Sequence, residues 1–462
     1  MKPEQENNPR PKEVRTVDPS PDADDLQQLL ESGNDSTIRS FLRTLHPADL
    51  AMLFDKVDDD LWPKIAKNLS TEDLSDLMEE LDDHLRDDLA ELMHRDQLVD
   101  ALEAMDSDDA ADVIADLPKE VAKEVLKDLP TEDRQEVERL LEYPEDTAGG
   151  IMQVELVSVH EDATIEEVIE AIRANADEVR AVHYVYMVDE NSRLTGILPL
   201  ERLLLAQPNT HAAEVAKREF YTVLPETDQE QVARMFKRYD LVSMAVVNEQ
   251  GVLLGRITHD DVIDVLEEEI EEDILRMEGL EEGDLVYTNR IFKIASIRLP
   301  WLLANVLGGL VAGHLLWSID ESFPAILALV SFAPVIAAMG GNIGSQSNTI
   351  VVRGLATGKI DFTNWERFLF REMAIGTLLG IACGSLLGVV AGLLKSNVTV
   401  GLTVGTAMAV GIMVSAIMGV MVPMVFRFFR IDPAIASGPL VTSTNDIISL
   451  SVYYAVAFLF LS

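Results

Sequence analysis

The sequence predicts a multidomain, mainly α-helical integral membrane protein. Its expected order is an acidic α-superhelix, a pair of βαββα modules, an acidic linking helix and a five-helix transmembrane domain. Three observations predict it. First, charge is partitioned: residues 291–462 hold only 9 of the 37 Lys and Arg and 7 of the 80 Asp and Glu, which leaves 28 cations against 73 acids, a net −45, on residues 1–290. Second, that weakly charged region contains five apolar stretches, each long enough to cross ~30 Å of hydrocarbon as a helix. Third, apolar spacing before residue 143 is helical, whereas after residue 150 it shifts to short strands alternating with helices. A wholly soluble protein is excluded, and so is nucleic-acid binding through a basic surface, because phosphate needs Lys and Arg. Cys383, the single cysteine, excludes a disulfide within the chain and a Cys-rich zinc site.

Residues 1–23 are charged and Pro-rich with no apolar run, and they read as a disordered tail rather than a secretory signal. Residues 24–142 carry an internal repeat. Leu45-His46-Pro47-Ala48-Asp49, Leu69-Ser70-Thr71-Glu72-Asp73, Met105-Asp106-Ser107-Asp108-Asp109 and Leu129-Pro130-Thr131-Glu132-Asp133 start 24, 36 and 24 residues apart. Capping residues and acids suited to a first helical turn open each copy. Apolar residues at helical spacing follow, as in Leu50, Leu53, Phe54 and Val57, which predicts stacked short helices. Tyr143–Gly150 breaks the pattern and reads as a linker.

Two βαββα copies follow, over 151–212 and 213–268. Strands are expected at 157–159, 182–188 and 194–198, with a helix over 164–175, and then at 221–223, 243–247 and 253–257, with a helix over 229–239. Gly196 and Gly255 take matching places. From Asp260 to Asp284 there are thirteen carboxylates and one cation, Arg276. Val262, Leu266, Ile270 and Ile274 recur every four residues, so an acidic helix with one apolar stripe is expected, its linking part over 269–290. Like charges one turn apart disfavour such a helix. Divalent cations are the natural neutralising partner, since hard cations prefer carboxylate oxygen.

The transmembrane domain, 291–462, is expected to cross at about 296–318, 324–350, 368–394, 400–426 and 433–461. Lys293, Arg298, Arg353, Lys359, Arg367, Arg371, Arg427 and Arg430 fall on one side and Lys395 on the other. By the positive-inside rule the acidic half and the N-terminus are cytoplasmic, the C-terminus is outside, and the protein is multi-pass in the plasma membrane. Glycines such as Gly376, Gly380, Gly384, Gly388 and Gly405 predict close helix packing.

Two stretches depart from that pattern. Pro334 to Asn348 combines helix breakers with amide and hydroxyl side chains. Asn342, Gln346 and carbonyls freed by Gly340, Gly341 and Gly344 would suit a hydrated cation. Asp446 lies mid-span in Gly438-Pro439-Leu440-Val441-Thr442-Ser443-Thr444-Asn445-Asp446, with no Lys or Arg in the same span. Placing a carboxylate there costs ~2.5–3.5 kcal/mol, so it faces water or a cation rather than lipid. Asp432, before Pro433, is either a helix-start residue or an inner-gate ligand.

The two βαββα copies resemble a pair of CBS domains. In that family Gly-x-hydrophobic-Ser/Thr-x-x-Asp often holds a ribose. Gly255, Thr258 and Asp261 match it in the second copy, whereas Pro199 and Arg202 break it in the first. The whole order of parts, with the Gly340-Gly341-Asn342-Ile343-Gly344-Ser345-Gln346 motif and the lone Asp446, resembles the MgtE family of magnesium transporters and channels. The resemblance implies a homodimer with a pore between subunits, lined by spans two and five, including Gly340, Gly341, Asn342, Gly344, Gln346, Gly438, Thr442 and Asn445. It implies Asp446 as pore ligand for hydrated Mg²⁺ and Asp432 at the cytoplasmic gate. It further implies that high internal Mg²⁺ shuts the pore through sensor acids: Asp261, Asp264, Glu269, Glu272 and Asp273, with Asp108, Asp109 and Asp112 in the superhelix. ATP is a candidate regulator at the CBS pair. Residue chemistry alone leaves Mn²⁺ and Co²⁺ beside Mg²⁺. It also leaves, as an alternative, transport of another solute governed by nucleotide. No HExxH, Walker A or GxSxG motif is present and the eight histidines lack ligand spacing, so an enzyme is not expected.

Overall fold

Helices of seven to ten residues, from α1 (Ala23–Ser32) to α10 (Thr131–Leu140), fill the first part of the chain. They are seen in a computed structural model that describes residues 23–461 apart from 55, 177–178, 180, 278–279, 281–290, 323–326, 358, 361–363 and 436–437. The expected tail and the end of the linking segment thus lie outside the described residues. The helices begin where the sequence supplies caps: the Asn34 side chain accepts from the Thr37 amide at 2.9 Å, and Ser70 from the Asp73 amide at 3.1 Å. The repeat is kept in the fold, with helices opening at Pro47, Thr71, Ser107 and Thr131. Helices this short are marginal alone. They are held by a shared core that includes Leu26, Phe54, Trp62, Met78, Leu89 and Leu98.

Residues 143–150 form turns packed on the second βαββα module. The Ala148 amide donates to the Thr227 carbonyl at 2.6 Å and the Gly149 amide to Pro225 at 2.9 Å. Gly149 is needed there because an added Cβ would stand 2.6 Å from the Tyr143 ring. The segment is therefore a docked turn, and the superhelix core runs on into Val232, Phe236, Met244 and Ile257 of the second module. The first module keeps a separate core around Val168, Val185 and Leu198.

The modules share one topology. β1 (Ser158–His160) pairs parallel with β2 (Tyr184–Val188), which pairs antiparallel with β3 (Leu194–Pro199). β4 (Thr222–Val223), β5 (Ser243–Val247) and β6 (Leu253–Thr258) repeat the pattern. Each central strand is irregular at the same place, between Met187 and Val188 and between Val246 and Val247, and Gly196 and Gly255 sit at equivalent registers. The Tyr186 hydroxyl meets Ser243 Oγ at 2.9 Å and joins the two sheets. Helix α15 (His259–Met277) leaves the second module. Val262 and Val265 are buried at its start, while Ile270 and Ile274 are exposed.

The chain divides into two compact units, Met1–Leu266 and Glu267–Ser462. The second contains long helices α16 (Ile291–Ser322), α18 (Ala333–Ala356), α19 (Trp365–Lys395), α20 (Val398–Phe428) and α21 (Gly438–Leu461), with a short α17 (Leu327–Val330) between the first two. Among the described residues, Ile294–His314, α19 and α20 are long and apolar enough to cross a membrane. α19 and α20 meet backbone to backbone, as their glycine spacing predicts. An added Cβ at Gly380 would stand 2.5 Å from the Ala409 carbonyl, and one at Gly388 would stand 2.8 Å from that of Gly401.

Span two differs from expectation. α18 is one continuous helix through Gly340, Gly341 and Gly344. Its backbone carbonyls are therefore engaged within the helix and are not freed for a cation. Pro334 lies in the first turn, where a missing N–H costs nothing, and the glycines serve close packing instead.

Candidate functional site

The glycines of α18 bring it against α21. An added Cβ at Gly344 would collide with the Asn445 side chain, and one at Gly340 with Ser449. An added Cβ at Gly341 would lie 3.4 Å from Thr442 Cγ2 and 3.7 Å from Asp446 Oδ1. The expected pore residues therefore separate into two sets. Gly340, Gly341, Gly344 and Asn445 are buried in the helix contact, while Asn342, Gln346 and Thr442 are exposed and Asp446 is half-buried. α21 starts at Gly438, after a short 3₁₀ turn at Pro433–Ile435. Asn445 is 0% exposed, and neither its Oδ1 nor its Nδ2 has a hydrogen-bond partner among the described residues. A buried amide of that kind calls for water or an ion.

Two polar supports escaped the sequence reading. Ser443 Oγ donates to Asn305 Oδ1 of α16 at 2.5 Å. Glu372 of α19, 3% exposed, accepts from Ser347 of α18 at 3.0 Å and from Arg371 at 3.1 Å. Asn305 is a lone amide in an apolar stretch and Glu372 an acid near the end of one, signals that could have found them.

Before span five, Asp432 Oδ1 accepts the Ala434 amide at 2.9 Å within the short 3₁₀ turn, six residues ahead of the start of α21 at Gly438. Its Oδ2 takes the Arg276 guanidinium at 2.7 Å, and Arg276 also pairs with Glu272 one turn away on α15. Burial, with Glu269 and Asp432 nearby, pushes the Glu272 carboxyl up, and Arg276 opposes the shift.

Of the other expected sensor acids, Asp108, Asp109, Asp112 and Asp261 gather on the first unit. Asp108, 5% exposed at the start of α8 (Ser107–Asp116), shares its surroundings with Asp109, Asp106, Glu155 and Asp261. Asp109 also feels Glu79 and Asp112. Asp261 accepts from the Thr258 amide at 3.0 Å, from the Thr258 hydroxyl at 2.7 Å and from Gln153 Nε2 at 3.3 Å. Burial, then mutual repulsion, raises Asp108 and Asp109 well above the carboxylate range. Burial lifts Asp261 from 3.8 to about 6 despite the Thr258 bonds. Among the described residues, no three ligand-type side chains converge closely enough to hold a bare metal ion. Asp264 is exposed on α15, and Glu269 and Asp273 are half-buried there.

The residues expected to hold a ribose are packed together with the segment that leads into the first module. An added Cβ at Gly255 would stand 2.6 Å from the Gln153 carbonyl and 3.1 Å from Met152 Sδ, and the Thr258 hydroxyl donates to Asp261 at 2.7 Å. A cavity of about 230 Å³ lies elsewhere between the modules, lined by Tyr184, Tyr186, Lys217, Tyr221, Tyr239 and Ala245. Tyr221 and Tyr239 stack at 4.0 Å.

The parts agree with known proteins. Family models match for an intracellular MgtE N domain over 45–146, CBS domains over 148–209 and 212–268, and the MgtE divalent cation transporter region over 333–456. A protein named magnesium transporter MgtE from Thermus thermophilus is 35% identical over 440 residues, 94% of this chain and 98% of its own. The chain belongs to the MgtE family. A Bacillus subtilis magnesium transporter MgtE is 28% identical across 94% of this chain and 96% of its own. A crystal structure described as the cytosolic domain of the Mg²⁺ channel MgtE in complex with ATP is 34% identical. It covers 53% of this chain and 99% of its own, with a TM-score of 0.51. This MgtE-family chain is therefore a membrane protein with a CBS pair and an acidic helical N domain.

Proposed function

We propose that this protein admits Mg²⁺ across the plasma membrane as a homodimer, and that rising cytoplasmic Mg²⁺ shuts it. The observation that carries the reading is Asp446, a carboxylate within a long helix, beside Gly341 and half-buried, with no protein partner bonded to it among the described residues. Two copies facing one axis supply about −2, which attracts a divalent cation and repels anions. Mg²⁺ gives up water reluctantly, so hydrated ion meets carboxylate and hydroxyl through water. With the acidic half cytoplasmic and the C-terminus outside, a potential of 100 mV drives entry by ~2.3 kcal/mol per charge.

Closure draws on the acids of the cytoplasmic half. The carboxylates of the Asp108, Asp109 and Asp261 cluster repel when bare and draw together around divalent ions. Moving a gate from 1:99 to 99:1 takes ~5.5 kcal/mol, about four sites each favouring closure tenfold. The tyrosine-lined cavity offers a stacking surface for the purine of a regulatory ATP and Lys217 for phosphate. The test is current through the full-length protein with Mg²⁺ as sole external cation while internal Mg²⁺ is varied. Inward current that falls at least about tenfold as internal Mg²⁺ rises is expected. Absence of current removes the transport reading, and current that never falls removes the gate.

The pH response follows from the cluster. Asp261 titrates at about 6 when folded and near 3.8 when free. The folded state therefore holds the proton longer. Its advantage is complete below the free value and lost as pH rises through the folded one. Without divalent cations, the cytoplasmic half should melt at lower temperature at pH 7.5 than at pH 5. Mg²⁺ should raise the melting temperature much more at pH 7.5. Equal Mg²⁺ effects at the two pH values would show that these acids bind no ion.

A further inference from the structure

Between Asp260 and Met277 the helix carries nine acids and a single cation, Arg276. That cation is spent in one place. Its guanidinium meets Asp432 Oδ2 at 2.7 Å and also Glu272, while Asp432 Oδ1 is held by the Ala434 amide. The three side chains are about equally sheltered, at 32%, 37% and 33% exposure for Arg276, Glu272 and Asp432. Two carboxylates from different elements are thus bridged by one positive group. A divalent cation would make the same bridge, but Arg276 is tethered and carries a single charge.

We propose that Arg276 is a built-in substitute for a bridging cation, positioning Asp432 and tying the linking helix to the start of span five when no metal is bound. The proposal deepens the gating reading and rests on Asp432 lying at the mouth of the ion path. With Arg276 in place the trio carries a net −1, and the contact closes without metal. With a neutral residue there the pair carries −2, the contact opens in the absence of metal, and a divalent cation binds more strongly. The planar guanidinium fits two carboxylates at once, and a lysine ammonium reaches them less well.

The experiment compares full-length wild type, Arg276→Gln, Arg276→Lys and the double variant Arg276→Gln/Asp432→Asn, each melted over a series of Mg²⁺ concentrations. Without Mg²⁺, Arg276→Gln should melt below wild type. Its Mg²⁺-dependent rise should be larger, with a half-effect at about tenfold lower Mg²⁺. Arg276→Lys should fall between the two. Adding Asp432→Asn should abolish the gained response. An unchanged Mg²⁺ response in Arg276→Gln, or a gain that survives Asp432→Asn, would overturn the proposal. Current recorded from the same variants separates the two ideas: a wild type that carries no Mg²⁺ current defeats the transport reading, while the melting series still reports on Arg276.

Discussion

Asp446→Ala should reduce Mg²⁺ uptake by more than a hundredfold in cells lacking other Mg²⁺ uptake, with the purified variant melting as the wild type does. A unit charge about 5 Å from a dication contributes about 1.7 kcal/mol even at the dielectric constant of water. Two copies contribute about 3.3 kcal/mol, and each 1.4 kcal/mol is a factor of ten. The path is less polar than water, so this is a lower bound. Stability should hold because Asp446 is half-buried and bonds to no other described residue. Removing a group with no partner leaves no orphaned donor. Asp446→Asn keeps the shape and removes the charge, so it should fail as badly as alanine, whereas Asp446→Glu should retain part of the flux. Uptake within a few-fold of wild type in Asp446→Asn would mean that the ion does not pass this carboxylate.

Local pattern made much of the architecture legible. The repeat starting at Leu45, Leu69, Met105 and Leu129 returned as helices opening at the same intervals. The helix Gln229–Tyr239 and the strand Ser243–Val247 fell where period and turn residues placed them. These features depend on neighbours within a few turns. What the sequence concealed depends on partners far away in the chain. Gly340 and Gly344 look like helix breakers until Ser449 and Asn445, some hundred residues on, are seen to fill the space a Cβ would take. Tyr143–Gly150 looks like a tether until its amides are seen bonded to Pro225 and Thr227.

The candidate site shows the same limit. Residue type alone singled out Asp446, since a bare acid mid-span is too costly to leave against lipid. That Asp108 and Asp109 share their surroundings with Asp261 is not legible in the sequence, because Asp261 lies more than 140 residues later. Asp432 offered two readings in the sequence. The structure has it accept the Ala434 amide of a 3₁₀ turn and adds a partner that neither reading contained, Arg276. A lone cation in a run of acids was the visible signal. Its target was not visible, because charge pairing between distant elements leaves no period behind.

Replacing Asp108, Asp109 and Asp261 together by Asn should raise the internal Mg²⁺ needed for closure at least about tenfold and make closure less steep, with peak current unchanged. The magnitude follows from the number of sites: if about four clusters share ~5.5 kcal/mol, each supplies ~1.4, or one factor of ten. Steepness falls because fewer ions take part. The same substitutions should raise the melting temperature at neutral pH without Mg²⁺ and shrink the further rise on adding it. Burial and mutual repulsion hold all three carboxyls above the usual range, so their charged forms work against folding at that pH. Asn keeps the size of each side chain and an oxygen for the bonds from Thr258 to Asp261. A purely structural cluster gives the opposite sign: a variant that melts lower without Mg²⁺, yet closes at the wild-type Mg²⁺ concentration, would place the regulatory ions elsewhere on the acidic surface. Melting in the absence of metal, followed by current against internal Mg²⁺, decides between the two.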